Sequence, residues 1–203
     1  MLISRVFGFI GALSLLGACL GPQPGATRQA PTSVSVTKAD VIVTGPPGYC
    51  VDMDASQEKA TNAFVLLASC AAISNQPLMP QPSVPALLTA SIAQGTPTST
   101  AALDRYFRTE AGATALRSSG AVDAMRLEIE NGALFIYTNG TDGENWRGLL
   151  PLDNGVLITI AMQEIGNQPV TSKDRFAELG LFARRIVSAN PTLTKAIKAS
   201  QTN

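Results

Sequence analysis

The residues of this chain that could do chemistry are carboxylates, hydroxyls and three cysteines, because histidine is absent from all 203 positions. The absence excludes Ser-His-Asp and Cys-His catalysis, histidine zinc sites and a histidine pH switch. Ser35-Val-Thr-Lys38 and Ser56-Gln-Glu-Lys59 both fit the Ser-x-x-Lys pattern of penicillin-binding enzymes. The Ser-Asp-Asn and Lys-Thr-Gly partners of that pattern are missing, so no catalytic residue is assigned.

Two acidic segments could in principle bind a metal ion or hydrolyse a glycoside. Residues 52–56 begin like an EF-hand loop, but Gln57 and Ala63 stand where the loop needs glycine and glutamate. We therefore predict no metal and no cofactor, and interpret the segment as a solvated turn. Asp142 and Glu144 lie in a polar loop, and a carboxylate pair could serve a glycosidase. A histidine-free hydrolase acting on cell wall or glycan thus stays as an alternative.

The amino terminus has the layout of a secretory signal. Arg5 precedes an apolar run from Val6 to Leu16, followed by Gly17-Ala18-Cys19. A positive head, a short apolar stretch and small residues at the cut site are typical of a signal peptide. The run is shorter than the roughly 20 residues that span a bilayer.

The four residues Leu16-Gly17-Ala18-Cys19 resemble the lipobox of bacterial lipoproteins. That resemblance implies cleavage before Cys19, a diacylglycerol thioether on its sulfur, and acylation (such as palmitate) of the new amino terminus. Two or more acyl chains make membrane anchoring durable. Leu20 is not aspartate, so nothing resembles the inner-membrane retention signal of enteric bacteria. We expect a periplasm-facing lipoprotein of the cell envelope, with the outer membrane favoured over the inner.

The remaining cysteines, Cys50 and Cys70, form an even pair in a chain expected to be exported. Such a pair favours a disulfide. A reactive thiol or a two-cysteine metal site is the alternative, but no third ligand of suitable type lies close in sequence.

Charge and composition limit the classes of partner that the chain is expected to bind. Lysine and arginine number 15 and so do aspartate and glutamate, so no basic excess points to nucleic acid. Charged residues make up only 15% of the chain, low for a soluble domain. A lightly charged surface is typical of a protein held at a membrane or against an envelope protein partner.

Composition and hydrophobic pattern predict four segments. They are a signal peptide over 1–18, a lipidated cysteine and Gly/Pro-rich linker over 19–33, a single globular domain over 34–190, and a tail over 191–203. Within the domain, strands are predicted at 41–43, 49–51, 63–70 and 87–92, a proline-rich loop at 75–85, and a helix over about 100–118, capped by Ser99 or Thr100 and stopped by Gly120.

Two hairpins are the clearest structural signals. Alternating apolar residues from Met125 reach Asn131-Gly132, a dipeptide typical of a two-residue hairpin turn, and a strand follows over 133–137. A second hairpin is predicted over 146–160. A final helix begins near Ser172 and ends at Asn190-Pro191, with Phe176, Leu179, Ala183, Ile186 and Val187 on its buried face.

Strands in runs with segregated helices predict an α+β class with an antiparallel sheet, a helix between strand groups and a C-terminal helix. This element order resembles the PsbP-like α/β/α sandwich, which also occurs in exported lipoproteins. The resemblance implies a docking or assembly role and carries over no functional residue.

The first hairpin suggests a recognition surface. A two-residue turn places Glu128 opposite Phe135 and Arg126 opposite Tyr137. We hypothesise that Arg126, Phe135, Tyr137 and Trp146 border a recognition surface. The other face, which holds Met125, Leu127, Ile129, Leu134 and Ile136, is predicted to be core. The alternative for the mixed face is packing beneath a helix, with Arg126 stacked on Tyr137.

We therefore expect a lipid-anchored, non-enzymatic binding or assembly protein. Besides the hydrolase, a small-molecule or lipid carrier is an alternative, which would show a cavity between sheet and helix.

Overall fold

The computed structural model describes residues 29–96, 98–117, 122–140, 143–166 and 169–194, without the side chains of 122–124. The predicted signal peptide, Cys19 and Asp142 lie outside the described residues. The elements are β1 (Ser33–Val36), β2 (Val41–Thr44), β3 (Tyr49–Glu58), β4 (Asn62–Ser69), α1 (Cys70–Ser74), β5 (Ala86–Gln94), α2 (Thr100–Phe107), α3 (Glu110–Arg117), β6 (Val122–Glu130), β7 (Ala133–Gly140), β8 (Gly143–Pro151), β9 (Val156–Glu164) and α4 (Ser172–Ala189).

One antiparallel sheet organises the molecule, which confirms the predicted α+β class. Its seven strands have the order β3-β4-β5-β9-β8-β7-β6, and β1 and β2 form a separate antiparallel ribbon. Helix α4 packs on one face of the sheet, and α2 and α3 pack on the other. Within the described residues, no helix combines the length and hydropathy that a transmembrane span requires.

The turn of the first hairpin follows from its sequence. Asn131 and Gly132 have φ of 52° and 79°, the left-handed backbone that a two-residue type I′ turn needs at both positions. Glu130 pairs with Ala133, so Glu128 lies opposite Phe135 as predicted. The Asn131 amide also donates to the carbonyl of Gly180 in α4, at 3.3 Å, which ties the turn to the helix.

Both faces of the sheet are apolar, and this corrects the predicted assignment of the core. The larger core lies under α4 and includes Phe135, whereas Leu134 and Ile136 belong to a smaller cluster under α2 and α3. Met125 and Ile129, predicted to be core, are 37% and 56% exposed. They lie on edge strand β6, whose Leu127 packs against the smaller cluster.

The single helix predicted over 100–118 is two helices joined at Arg108 and Thr109. The Thr109 hydroxyl donates to the Tyr106 carbonyl and accepts from the Gly112 amide, so it closes one helix and caps the next. A Cβ at Gly112 would lie 2.2 Å from the Tyr106 carbonyl oxygen. Glycine at this position therefore permits the close contact between α2 and α3. Ser99 caps α2, as predicted, and Gly120 lies outside the described residues.

The predicted disulfide is confirmed. Cys50 in β3 and Cys70 at the start of α1 are bonded at 2.04 Å, with Cα atoms 4.7 Å apart. The segment from Ala63 is a strand, as favoured, and the chain turns into α1 at the second cysteine. Residues 52–56, interpreted from the sequence as a solvated turn, belong instead to strand β3, whose pairing with β4 shifts register between Asp52 and Gln57.

Helix α4 begins and ends where the sequence predicts. The hydroxyl of Thr171 caps it by accepting from the Asp174 amide, and Phe182 adds a fully buried ring to the predicted face. At its end the Asn190 side chain accepts from the Ile42 amide and donates to the Ile42 carbonyl. This pair of bonds attaches the β1–β2 ribbon to the helix. The described chain stays packed beyond residue 190, since Thr194 is buried.

Glu178 of α4 predicts a pH dependence of stability. Its side chain is buried, and this burial raises the pKa of the carboxyl. The folded state therefore binds this proton more tightly than the unfolded state does. The contribution of the protonated Glu178 to stability is fully present below the ordinary pKa of a glutamate, and it is lost as the pH rises through the raised pKa. We expect Glu178→Gln to be more stable than the parent at about pH 7 and to flatten this decline. Urea unfolding between about pH 4 and pH 8 measures both, and equal pH dependence in the two proteins would contradict it.

Candidate functional site

The four residues predicted to border a recognition surface do come together, beneath α4. The Trp146 ring lies 5.1 Å from that of Tyr137 and 4.7 Å from that of Phe176, and Phe135 also contacts Phe176 at 5.1 Å. The indole nitrogen of Trp146 donates to the Ser172 hydroxyl at 2.9 Å. The cluster therefore anchors the first turn of α4 to strands β7 and β8.

Arg126 covers this cluster from the edge strand. Its guanidinium carbon lies 5.3 Å from the ring centre of Tyr137 and 5.0 Å from that of Trp146, within range of a cation–π contact. Phe135 and Trp146 are 0% and 1% exposed, so neither can contact a partner. The structure therefore has the alternative arrangement, packing beneath a helix with Arg126 stacked on Tyr137, and the predicted surface is not formed by these four side chains together.

The opposite face of the sheet carries a groove that the sequence did not reveal. It has a volume of about 650 Å³, within the usual range of small-molecule sites. Helices α2 and α3 form one wall and strands β7, β8 and β9 form the floor. Apolar lining comes from Phe107, Leu116, Ile136, Leu149, Met162 and Val170, and polar lining from Thr138, Glu144, Asn145, Arg147, Thr159, Gln163, Glu164 and Arg175.

Arg147 is the cation on the floor of this groove. It lies on the central part of β8, opposite Ile136 on β7 and Ala161 on β9. Strand alternation gives it Thr138 and Thr159 as polar neighbours on the same face. Its side chain is exposed, and none of the ion pairs found among the described residues includes it. The guanidinium is thus available to a ligand.

A second guanidinium reaches the groove from α4. Arg175 pairs with Glu164, which also accepts from the Val170 amide at 3.0 Å. The Arg175 Nε and the Asn145 Oδ1 are buried without a hydrogen-bond partner among the described residues. An unsatisfied buried polar atom costs roughly 1–3 kcal/mol, and both of these belong to lining residues. A ligand that accepts a hydrogen bond could offset this cost at Arg175.

The two glutamates that line the groove are already engaged by protein groups. Glu164 is held by Arg175, and Glu144 is hydrogen-bonded to Tyr137 on the α4 side of the sheet. Burial, and then this bond to Glu144, raise the pKa of Tyr137. In the part of the chain that is described, no group of three or more acidic or cysteine side chains is placed to hold a metal ion. The groove therefore offers donors and apolar walls to a ligand.

Comparison of the chain with protein-family models, with curated proteins and with solved structures found no significant match. The likeness to the PsbP-like sandwich therefore stays a prediction from element order.

Proposed function

We propose that the protein is a lipid-anchored lipoprotein of the bacterial envelope that binds a small amphiphilic acid in the groove between α2–α3 and the sheet. The anchor is supported by the lipobox-like sequence that ends at Cys19. The binding role is supported by one observation above all: the Arg147 guanidinium on the groove floor has no carboxylate partner among the described residues.

The lining indicates the chemistry of the ligand. Phe107 and Leu116 on the helices face Ile136 and Leu149 on the sheet, and together they can cover an apolar segment. Arg147 can pair with a carboxylate, sulfonate or phosphate, for which a guanidinium has matching geometry. The ligand is therefore an acid with an apolar body. This mixed groove favours the carrier among the alternatives, because Phe135 and Trp146, two of the residues expected to meet a protein partner, are buried.

Arg147→Gln tests this assignment with two dyes that share one fluorophore. 8-Anilinonaphthalene-1-sulfonate carries an acid, whereas N-phenyl-1-naphthylamine has the same rings without it. A hydrogen bond to a charged group contributes roughly 1.5–3 kcal/mol. We therefore expect Arg147→Gln to lower the affinity for the sulfonate dye about tenfold or more. Binding of the neutral dye should be unchanged. Fluorescence titration of the mature chain with Cys19→Ser measures both without detergent.

Arg184→Gln is the matched control, since Arg184 is an exposed cation on α4, across the sheet from the groove. It should leave both titrations unchanged. Equal affinities of the parent and Arg147→Gln for the sulfonate dye would contradict the assignment. An equal loss of affinity for both dyes would show a change of fold instead, and circular dichroism would detect that change.

A further inference from the structure

Strand β6 is an open edge of the seven-stranded sheet. No strand in the described part of the chain pairs with its outer side. The opposite edge strand, β3, is interrupted between Asp52 and Gln57, whereas β6 pairs with β7 without interruption from Ala124 to Glu130. A straight edge strand with unpaired N–H and C=O groups is a template for another strand.

The hairpin turn decides which backbone groups of β6 point outward. In a two-residue hairpin, the flanking residues Glu130 and Ala133 form a hydrogen-bonded pair, and such pairs alternate along the ladder. Arg126 and Glu128 therefore bond inward to β7, since they lie four and two residues before Glu130. The N–H and C=O groups of Met125, Leu127 and Ile129 then face away from the sheet.

The side chains of this edge are sorted by face. Met125 and Ile129 are 37% and 56% exposed on the α2–α3 face. On the other face, Arg126 and Glu128 form an ion pair at 2.8 Å, with side chains 61% and 39% exposed. The free edge thus offers apolar contact on one side of the sheet and two opposite charges on the other.

We infer that β6 pairs antiparallel with β6 of a second copy, about a two-fold axis at Leu127. In this register Arg126 lies opposite the partner's Glu128, and Glu128 opposite the partner's Arg126. Met125 lies opposite the partner's Ile129 on the apolar face. The outward N–H and C=O groups of the three apolar residues meet their counterparts, and the two sheets become one.

The charges select this register over its neighbours. Shifting the two-fold axis by one residue to Arg126 places two arginines directly opposite each other, and shifting it to Glu128 does the same with two glutamates. Like charges directly opposite destabilise a strand pair. Placing the axis between residues would set charged side chains against apolar ones. Among these registers, only the one centred on Leu127 places apolar side chains opposite apolar ones and also places each arginine opposite a glutamate.

Cysteine crosslinking tests the register. Met125→Cys and Ile129→Cys are made separately in the mature chain with Cys19→Ser, so that the new thiol is the only free one beside the native disulfide. Opposite residues in an antiparallel pair have Cα atoms about 4.5–5.5 Å apart, within disulfide range. Identical residues are four positions apart, about 13 Å along the strand. We therefore expect disulfide-linked dimers from the mixture of the two variants and none from either alone.

A second measurement uses the charges and leaves the apolar face intact. Arg126→Glu and Glu128→Arg should each sediment as a monomer, whereas their equimolar mixture should regain the dimer, because each mutant charge then meets its opposite. Circular dichroism checks that both variants are folded. A monomeric parent protein, crosslinks in the single cysteine variants as strong as in the mixture, or no recovery on mixing the charge variants would overturn the inference. None of these outcomes bears on the groove, which Arg126 and Glu128 do not line.

Discussion

Replacing Trp146 with alanine should lower the free energy of unfolding by about 3–5 kcal/mol, the usual cost of removing a buried aromatic ring. Trp146 is 1% exposed and is the largest of the fully buried side chains. It contacts Tyr137, Phe176 and Arg126, and it bonds to Ser172 at the start of α4. A domain of this size has only roughly 5–15 kcal/mol of stability. The melting temperature should therefore fall by on the order of 10 °C.

Two milder variants separate the contribution of the Trp146 ring from that of its hydrogen bond. Trp146→Phe keeps a ring but loses the indole N–H, and Ser172→Ala removes only the acceptor of that N–H. The second leaves a buried donor unsatisfied, which costs roughly 1–3 kcal/mol. Urea unfolding followed by circular dichroism is the measurement, because Trp146 is the single tryptophan and fluorescence would be lost with it. A loss under about 1 kcal/mol for Trp146→Ala would contradict the packing role.

Removing the disulfide should have the second large effect. The bond closes a loop with a sequence separation of 20 residues, so its loss should cost about 3 kcal/mol by releasing entropy in the unfolded chain. Cys50→Ala combined with Cys70→Ala is the suitable variant, since both positions are buried and alanine adds no unsatisfied polar atom.

Reduction of the parent protein provides the control for this variant. Dithiothreitol should lower the melting temperature of the parent to near that of the double variant, and it should leave the variant unchanged. If the reduced parent, with its thiols shown free by labelling, melted at the temperature of the oxidised protein, the crosslink would contribute nothing to stability.

Local signals were enough for much of the fold. Asn131-Gly132 fixed the turn, the register and the facing pairs of the first hairpin, because a type I′ turn admits few residues and a two-residue loop allows one register. The cysteine pair predicted its own bond, and the bounds predicted for α4, near Ser172 and at Asn190-Pro191, match its observed ends. Each of these features depends either on residues that are adjacent in sequence or, for the cysteines, on a residue type that commonly forms a disulfide in exported proteins.

Features decided by tertiary contacts were not predictable. Strand alternation shows that Leu134 and Phe135 face opposite ways, but it cannot show that both faces are covered. The break at Thr109 depends on the close approach of Gly112 to the preceding helix. Arg147 alternates with Trp146 along β8, and nothing in its own segment signals a groove, because the groove walls come from α2, α3, β7 and β9.

The mass of the intact protein with its bound molecules tests the central proposal most directly. The full-length protein and its Arg147→Gln variant would be extracted from membranes in mild detergent and measured by native mass spectrometry. The proposal predicts a chain that begins at Cys19 with covalent acyl groups, together with a non-covalently bound acidic amphiphile that the variant loses. A chain without lipid on Cys19 would contradict the anchor. A groove that is empty in the parent, or one that holds the same molecule in Arg147→Gln, would contradict the binding site.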